Sequence, residues 1–349
     1  MQFSRFFESV WNWKSAEMKT PMDQLNDRDG TAVKPGAQVD HYRIEGVVAE
    51  GRAATTFRAT DVLTNRTVAL VIPSPEIEAD PVLSKRFQRE EEIDKALEHP
   101  GLIKLIEKHG REQGSGHSYL VREWFDGISL RELMANGKLA PERAIPITVS
   151  ICEIADYVHS HGVVLRDLEP EHILVGENEQ VRLIHVGVTS KLGARRLTFT
   201  KLSQVIGTSR YISPEELLGK HSDIRSDVYS IGVMFYEMVM GQLPFPGPRI
   251  DDRLTSYPVP PRELDPSISP QLQEVMYRAL ERDPQNRYAS AREFALDLAH
   301  LDQVGVTDRP ELREWREQQN SPIRKLALYA ALVLIPVVIF GLMLYFAKR

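Results

Sequence analysis

A single cysteine among 349 residues, Cys152, has no partner within the chain, so the fold is held without intramolecular disulfides. Its apolar neighbours in VSICEIADYV make it a buried helix residue, not a reactive thiol, and a reducing compartment fits. An excess of basic charge is missing too. Lys and Arg total 43 against 49 Asp and Glu, a formal charge of -6, which argues against the basic surface expected of a nucleic-acid binder. No internal repeat is present, and the amino-terminal segment lacks the continuous apolar core of a cleaved signal peptide. What remains, 42% apolar and 26% charged residues, suffices for one large domain with a full core.

One long apolar run does occur. The 22 residues Leu326–Ala347 carry no charge. As a helix they would span about 33 Å, the thickness of a bilayer's hydrocarbon core. A buried soluble helix of that length would show a polar stripe, and this one has none, so 326–347 is expected to be a transmembrane helix. Arg313, Arg316, Arg324 and Lys325 precede it while Lys348 and Arg349 follow, which places the large domain in the cytoplasm of a single-pass membrane protein. At the other end, Phe3, Phe6, Phe7, Val10 and Trp11 recur at helical spacing, so residues 1–20 are expected to form an amphipathic aromatic helix, packed on its own domain or lying on the membrane. Residues 21–40, punctuated by Gly30, Pro35 and Gly36, read as a linker, and 303–325, rich in charge, as a juxtamembrane connector.

Between them, 41–302 divides by periodicity. Short strand-like runs, YRIEGVVAE, TFRATDVL and TVALVIP, precede a helical stretch and two more strand runs up to residue 124; from 125 the pattern is mostly helical. Within the helical part stands HGVVLRDLEPEHILV, His161 to Val175, followed ten residues later by His185-Val186-Gly187; further on come GTSRYISPEELLG, RSDVYSIGVMFYEMVMGQLPF and RDPQNRY.

In this order, these motifs resemble those of bacterial eukaryotic-type (Hanks-type) serine/threonine protein kinases over about Tyr42 to Leu301. The resemblance implies an α+β bilobal protein-kinase-like fold, with a small antiparallel sheet lobe plus one helix (41–124) and a large helical lobe (125–302). It also assigns roles. Asp167 falls on the catalytic Asp that orients the substrate hydroxyl, Asp227 on the helix Asp that braces the catalytic loop, and Glu215 and Arg287 on a structural ion pair. Gly51, Ala69, Glu123, Phe125 and Leu174 fall on positions that line the nucleotide.

The phosphate-handling positions depart from the family pattern. Val71 stands where the strand Lys is expected, Glu169 where the catalytic loop has Lys, His172 where it has the metal-binding Asn and His185 where the metal-binding Asp belongs. The glycine loop keeps one glycine of three, Gly51, with Ala49 and Ala54 at the other two positions. Glu90 has thereby lost its Lys partner, and Arg122, at the gatekeeper position, is expected to replace it, the alternative being an Arg turned to solvent. Leu165 and Val186 replace the His and Phe of the family motifs. His172 and His185 with Asp167 suggest a zinc site, but paired imidazoles more commonly bond to backbone, and no metal is expected.

The sequence is therefore read as a catalytically impaired, membrane-anchored pseudokinase, a signalling scaffold or allosteric regulator with a protein partner such as an active kinase. No cofactor is expected. The alternatives are a serine/threonine protein kinase with weak or atypical transfer, using ATP with magnesium, and a nucleotide-sensing module. Thr198, Thr200, Ser203 and Thr208 are candidate phosphoacceptors in the activation segment.

Overall fold

The computed structural model describes residues 33–51, 54–79, 97–109, 118–166, 168–184, 190–191, 210–220, 222–245, 252–309, 312 and 334–335. The aromatic helix of 1–20, Glu90, Asp167, His185, Val186, the activation-segment hydroxyls and the apolar run 326–347, save Leu334 and Ile335, lie outside the described residues. Among the described residues no helix is long and apolar enough to cross a membrane.

Two compact units divide the chain, one of residues Met1–Ser74 and Ile106–Trp124, the other of Pro75–Leu105 and Phe125–Arg349. The first holds a six-stranded sheet, ordered β1-β2-β3-β4-β6-β5. Its strands are β1 (Gln38–Val39), β2 (Tyr42–Glu50), β3 (Ala54–Asp61), β4 (Arg66–Pro73), β5 (Leu105–His109), whose first residue belongs to the other unit, and β6 (Tyr119–Glu123). Alternation builds this sheet: Val68, Leu70 and Ile72 of β4 join Tyr119 and Val121 of β6 in one core with Tyr42, Ile44, Phe57 and Ala59. Thr67, Ala69 and Val71 alternate with them along β4 and are half-buried. The β3–β4 turn is set by Asp61, whose carboxylate accepts from Leu63 N–H at 2.9 Å and from the Thr64 hydroxyl at 2.6 Å, while Asn65 takes a φ of 55°.

The second unit contains α1 (Pro75–Ala79), β7 (Gly127–Ser129), α2 (Leu130–Ala135), α3 (Pro141–Ser160), β8 (Val163–Val164), a 3-10 turn (Pro170–His172), β9 (Ile173–Gly176), β10 (Val181–Leu183), β11 (Ser190–Lys191), α4 (Pro214–Leu217), α5 (Ile224–Met240), α6 (Asp252–Thr255), α7 (Pro261–Leu264), α8 (Pro270–Ala279) and α9 (Ala291–Ala299). Helix α5 is the centre of its core, with Val228, Tyr229, Ile231, Met234, Phe235 and Tyr236 all buried. Asp223 caps its start by accepting from Arg225 N–H, and Gly241, at φ 70°, ends it in the left-handed conformation. Gly232 lets α8 approach, since a Cβ there would lie 2.8 Å from that of Ala279. Cys152 is wholly buried and burial pushes its thiol upward, out of the reactive range.

Three boundaries differ from the sequence reading. The linker ends before residue 40, because β1 pairs with β2 and Val39 is buried. Residues 97–105 cluster with the helical unit, because Ile103 N–H donates to Leu183 C=O at 3.0 Å and Leu183 N–H to Gly101 C=O at 2.7 Å. The connector expected from 303 is still bound at Arg309, whose Nη2 and Nε donate to the Glu274 carboxylate at 2.8 and 3.0 Å and whose Nη1 donates to Glu281, with Tyr277 beneath the guanidinium at 5.3 Å.

Candidate active site

The segment carrying the catalytic motif hangs from one carboxylate. Asp227, in the first turn of α5 and wholly buried, accepts Leu165 N–H through Oδ2 and Arg166 N–H through Oδ1, both at 2.8 Å. His159 Nε2, at the end of α3, lies 2.7 Å from Oδ2. A carboxylate only accepts, so Nε2 carries the proton. Arg166 takes a φ of 64°, the left-handed bend that aims successive amides at one acceptor. Leu165, where the family has His, is buried in the same core as Val158 and Tyr229.

Beyond position 167 the turn places two of the altered residues together: His172 Nε2 is 3.7 Å from Glu169 Oε1, and both side chains are half-buried. The His172 carbonyl accepts Ile184 N–H at 2.9 Å, so the 3-10 turn and the residue before position 185 are tied at the backbone. Among the described residues no group of three or more His, Cys, Asp and Glu could hold a metal ion. Two of the three ligands of the zinc idea, Asp167 and His185, lie outside those residues.

A second carboxylate anchors the end of the activation segment. Glu215, in α4, receives both Nη1 and Nη2 of Arg287 at 2.8 Å, plus the Ser226 hydroxyl at 2.6 Å. Arg287 spends its other donors on the carbonyls of Glu281, Arg282 and Arg225 and lies over the Tyr229 ring at 4.8 Å. Burial pushes the Glu215 carboxyl upward, but the Arg287 and Ser226 bonds outweigh it and hold it below the ordinary range.

In the sheet unit, Val71 pairs with Thr56 of β3 and Leu120 of β6, and Ala69 with Arg58 and Arg122. Val71 is hydrocarbon, half-buried and without a donor for a phosphate. Arg122 is only 3% exposed, so it does not turn to solvent; its expected partner Glu90 is outside the described residues. Gly51 donates its N–H to Ala54 C=O at 3.0 Å, closing the β2–β3 hairpin with the amide a glycine loop would offer to phosphate. Glu123 pairs with Val68, and Leu174 of β9 with Arg182 and Ser129, all in strand register. Phe125 packs its ring on two glycines: a Cβ on Gly127 would come within 2.7 Å of it and one on Gly176 within 2.9 Å, with Arg182 over its face at 5.4 Å. That ring serves the helical unit's own packing. A four-residue cluster of Arg131, Glu171, Tyr211 and Glu237, which sequence reasoning missed, lies in the helical unit.

A protein kinase domain family model matches residues 42–297. The chain is similar to serine/threonine-protein kinase PknB of Mycolicibacterium smegmatis, 32% identical over 279 residues covering 78% of this chain and 45% of that protein. It is also similar to probable serine/threonine-protein kinase SCO3848 of Streptomyces coelicolor, 34% identical over 276 residues covering 76% and 41%. It thus spans less than half the length of these curated relatives. The crystal structure of the Mycobacterium tuberculosis PknI kinase domain shares the fold, at 22% identity and a TM-score of 0.61, over 77% of this chain and all of that one.

Because the Glu215 carboxyl is held below its unfolded value, the stability it contributes is complete above the unfolded carboxylate pKa and is lost as pH falls through the lower, folded one. Unfolding midpoints followed by circular dichroism should therefore decline on acidification, with a shallower decline in Glu215→Gln. Removing one partner, as in Arg287→Ala, should cost about 3–5 kcal/mol by leaving the other charge buried; a loss below about 1 kcal/mol, the scale of a surface pair, would contradict the pairing.

Proposed function

The chain belongs to the protein kinase family, and on that premise we propose that it is an impaired member of the serine/threonine branch, acting as a signalling scaffold or allosteric regulator tethered to a membrane. The observation that carries this reading is Val71, an aliphatic side chain in β4 where phosphate needs a cation. His172 supports it, because an imidazole is a poor ligand for magnesium, a hard ion that prefers oxygen. Val71 and His172 do not fit magnesium-ATP.

The comparisons favour the second reading more directly: the relatives are named as serine/threonine-protein kinases, which speaks for transfer, weak or atypical, from ATP. Loss of one preorganised electrostatic contact commonly costs about 3 kcal/mol in a transition state. Two independent losses would lower a turnover of about 10 per second roughly ten-thousandfold. The nucleotide-sensing reading has less support, since the Gly51 amide is engaged within its hairpin.

Thermal shift of the protein with ATP, with and without magnesium or manganese, separates the three. The proposal expects no shift and no phosphate incorporation. A shift without metal would favour the sensor. A metal-dependent shift with incorporation abolished by Asp167→Asn would overturn the proposal in favour of the kinase.

The proposal also has Arg122 answering Glu90 in place of the missing lysine, supported by the burial of its guanidinium. Arg122→Glu and Glu90→Arg should each destabilise the protein, and their combination should recover part of the loss; additive losses would defeat the pairing. For the tether, the protein should stay with membranes through alkaline carbonate extraction, and deletion of 326–347 should release it. Release of the intact chain would remove the membrane from the proposal.

A further inference from the structure

The chain does not leave the helical unit at the end of α9. After the 3-10 turn Leu301–Gln303, the residues Gly305, Val306, Thr307 and Asp308 are exposed, and the chain then returns to the unit at Arg309. Its guanidinium meets a stripe in which Glu274, Tyr277 and Glu281 stand at i, i+3 and i+7, one face of a helix. Nε and Nη2 take the Glu274 carboxylate, Nη1 takes Glu281, and the Tyr277 ring faces the guanidinium carbon at 5.3 Å.

This stripe suits that one cation. The side chains of Glu274 and Arg309 are 10% and 12% exposed, so water screens the pair little and the carboxylate would be costly to leave bare. Glu281 follows the end of α8, where the helix dipole is negative and a carboxylate is disfavoured unless a cation stands beside it. Two carboxylates bracketing an aromatic ring match a planar fork of donors, and an ammonium could satisfy only part of the set. Residues 305–308 bury little by contrast, so a short segment centred on one side chain docks or undocks as a unit.

We propose that the α8 stripe is a docking site for this chain's own segment 305–309, and that its docked and undocked forms give the helical unit two reaches from the membrane. The inference rests on the reading above that 326–347 is a membrane tether. With Arg309 docked, residues 310–325 separate the unit from the apolar run, about 55 Å at full extension. Undocking frees residues 305–309 as well and adds about 17 Å. The docked form therefore holds the helical unit nearer to the bilayer and limits which membrane-bound partners it can meet.

Two measurements on the full chain separate the dock from the tether. In detergent, thermolysin cleavage on the amino side of the exposed Val306 should quicken at least about tenfold in Arg309→Ala, because cleavage follows the population of the opened segment. The double variant Glu274→Gln, Glu281→Gln should behave alike, with Arg309→Lys lying between these and the unaltered protein. In liposomes, a donor dye on Gln285→Cys, an exposed position, should transfer less energy to a headgroup acceptor in the same variants, while Cys152, wholly buried, stays unlabelled. If Arg309→Ala does not accumulate folded, the double variant, which keeps the guanidinium and the side-chain volumes, takes its place. Cleavage no faster than in the unaltered protein overturns the dock, and faster cleavage with unchanged energy transfer overturns the two reaches. Release of the intact chain by carbonate would overturn the tether and the two reaches with it, while the detergent result would still stand for the dock.

Discussion

One buried carboxylate, Asp227, orders the segment on which any kinase chemistry would depend. Its oxygens accept the amides of Leu165 and Arg166 and lie against His159, so α5, α3 and the catalytic loop meet at one carboxylate. Charge-assisted bonds of this kind are stronger than neutral ones and are costly to leave half-made in a low-dielectric interior. The left-handed backbone of Arg166 turns both amides onto one carboxylate, which makes loop shape and helix position one constraint.

This constraint is independent of phosphate binding, and so is the Glu215–Arg287 pair. Both are satisfied wholly by residues of the helical unit. The chain can therefore replace a lysine by Val71 and an asparagine by His172 without disturbing the bonds that hold the helical unit. The altered residues are accommodated locally: His172 by the turn and the Ile184 amide, Val71 by strand pairing with Thr56 and Leu120. Gly51 shows the same separation, its amide now part of hairpin closure.

How much of this was legible in the sequence depended on how narrowly physics limits each position. Alternation in β4 fixed which of Val68, Ala69, Leu70 and Val71 would face the core, because a strand has only two faces. Asp227, Glu215 and Arg287 were legible through the kinase resemblance, and their burial is costly without the partners they have here. Arg131 was not: its partners are 40, 80 and 106 residues away, and no local pattern links them. Strand β1, two residues long, has no period to detect. The affiliation of 97–105 is set by backbone bonds to Leu183, to which side-chain patterning is blind.

The clamp on Arg309 has a mechanical consequence. Tension passing through Arg309 would reach the helical unit through the bidentate grip of Glu274 and the bond to Glu281, which bracket the last turn of α8, itself packed against α5 through Gly232 and Ala279. The carboxyl-terminal edge would thus resist peeling residue by residue, delivering load to the interior of the helical unit as shear along a packed helix.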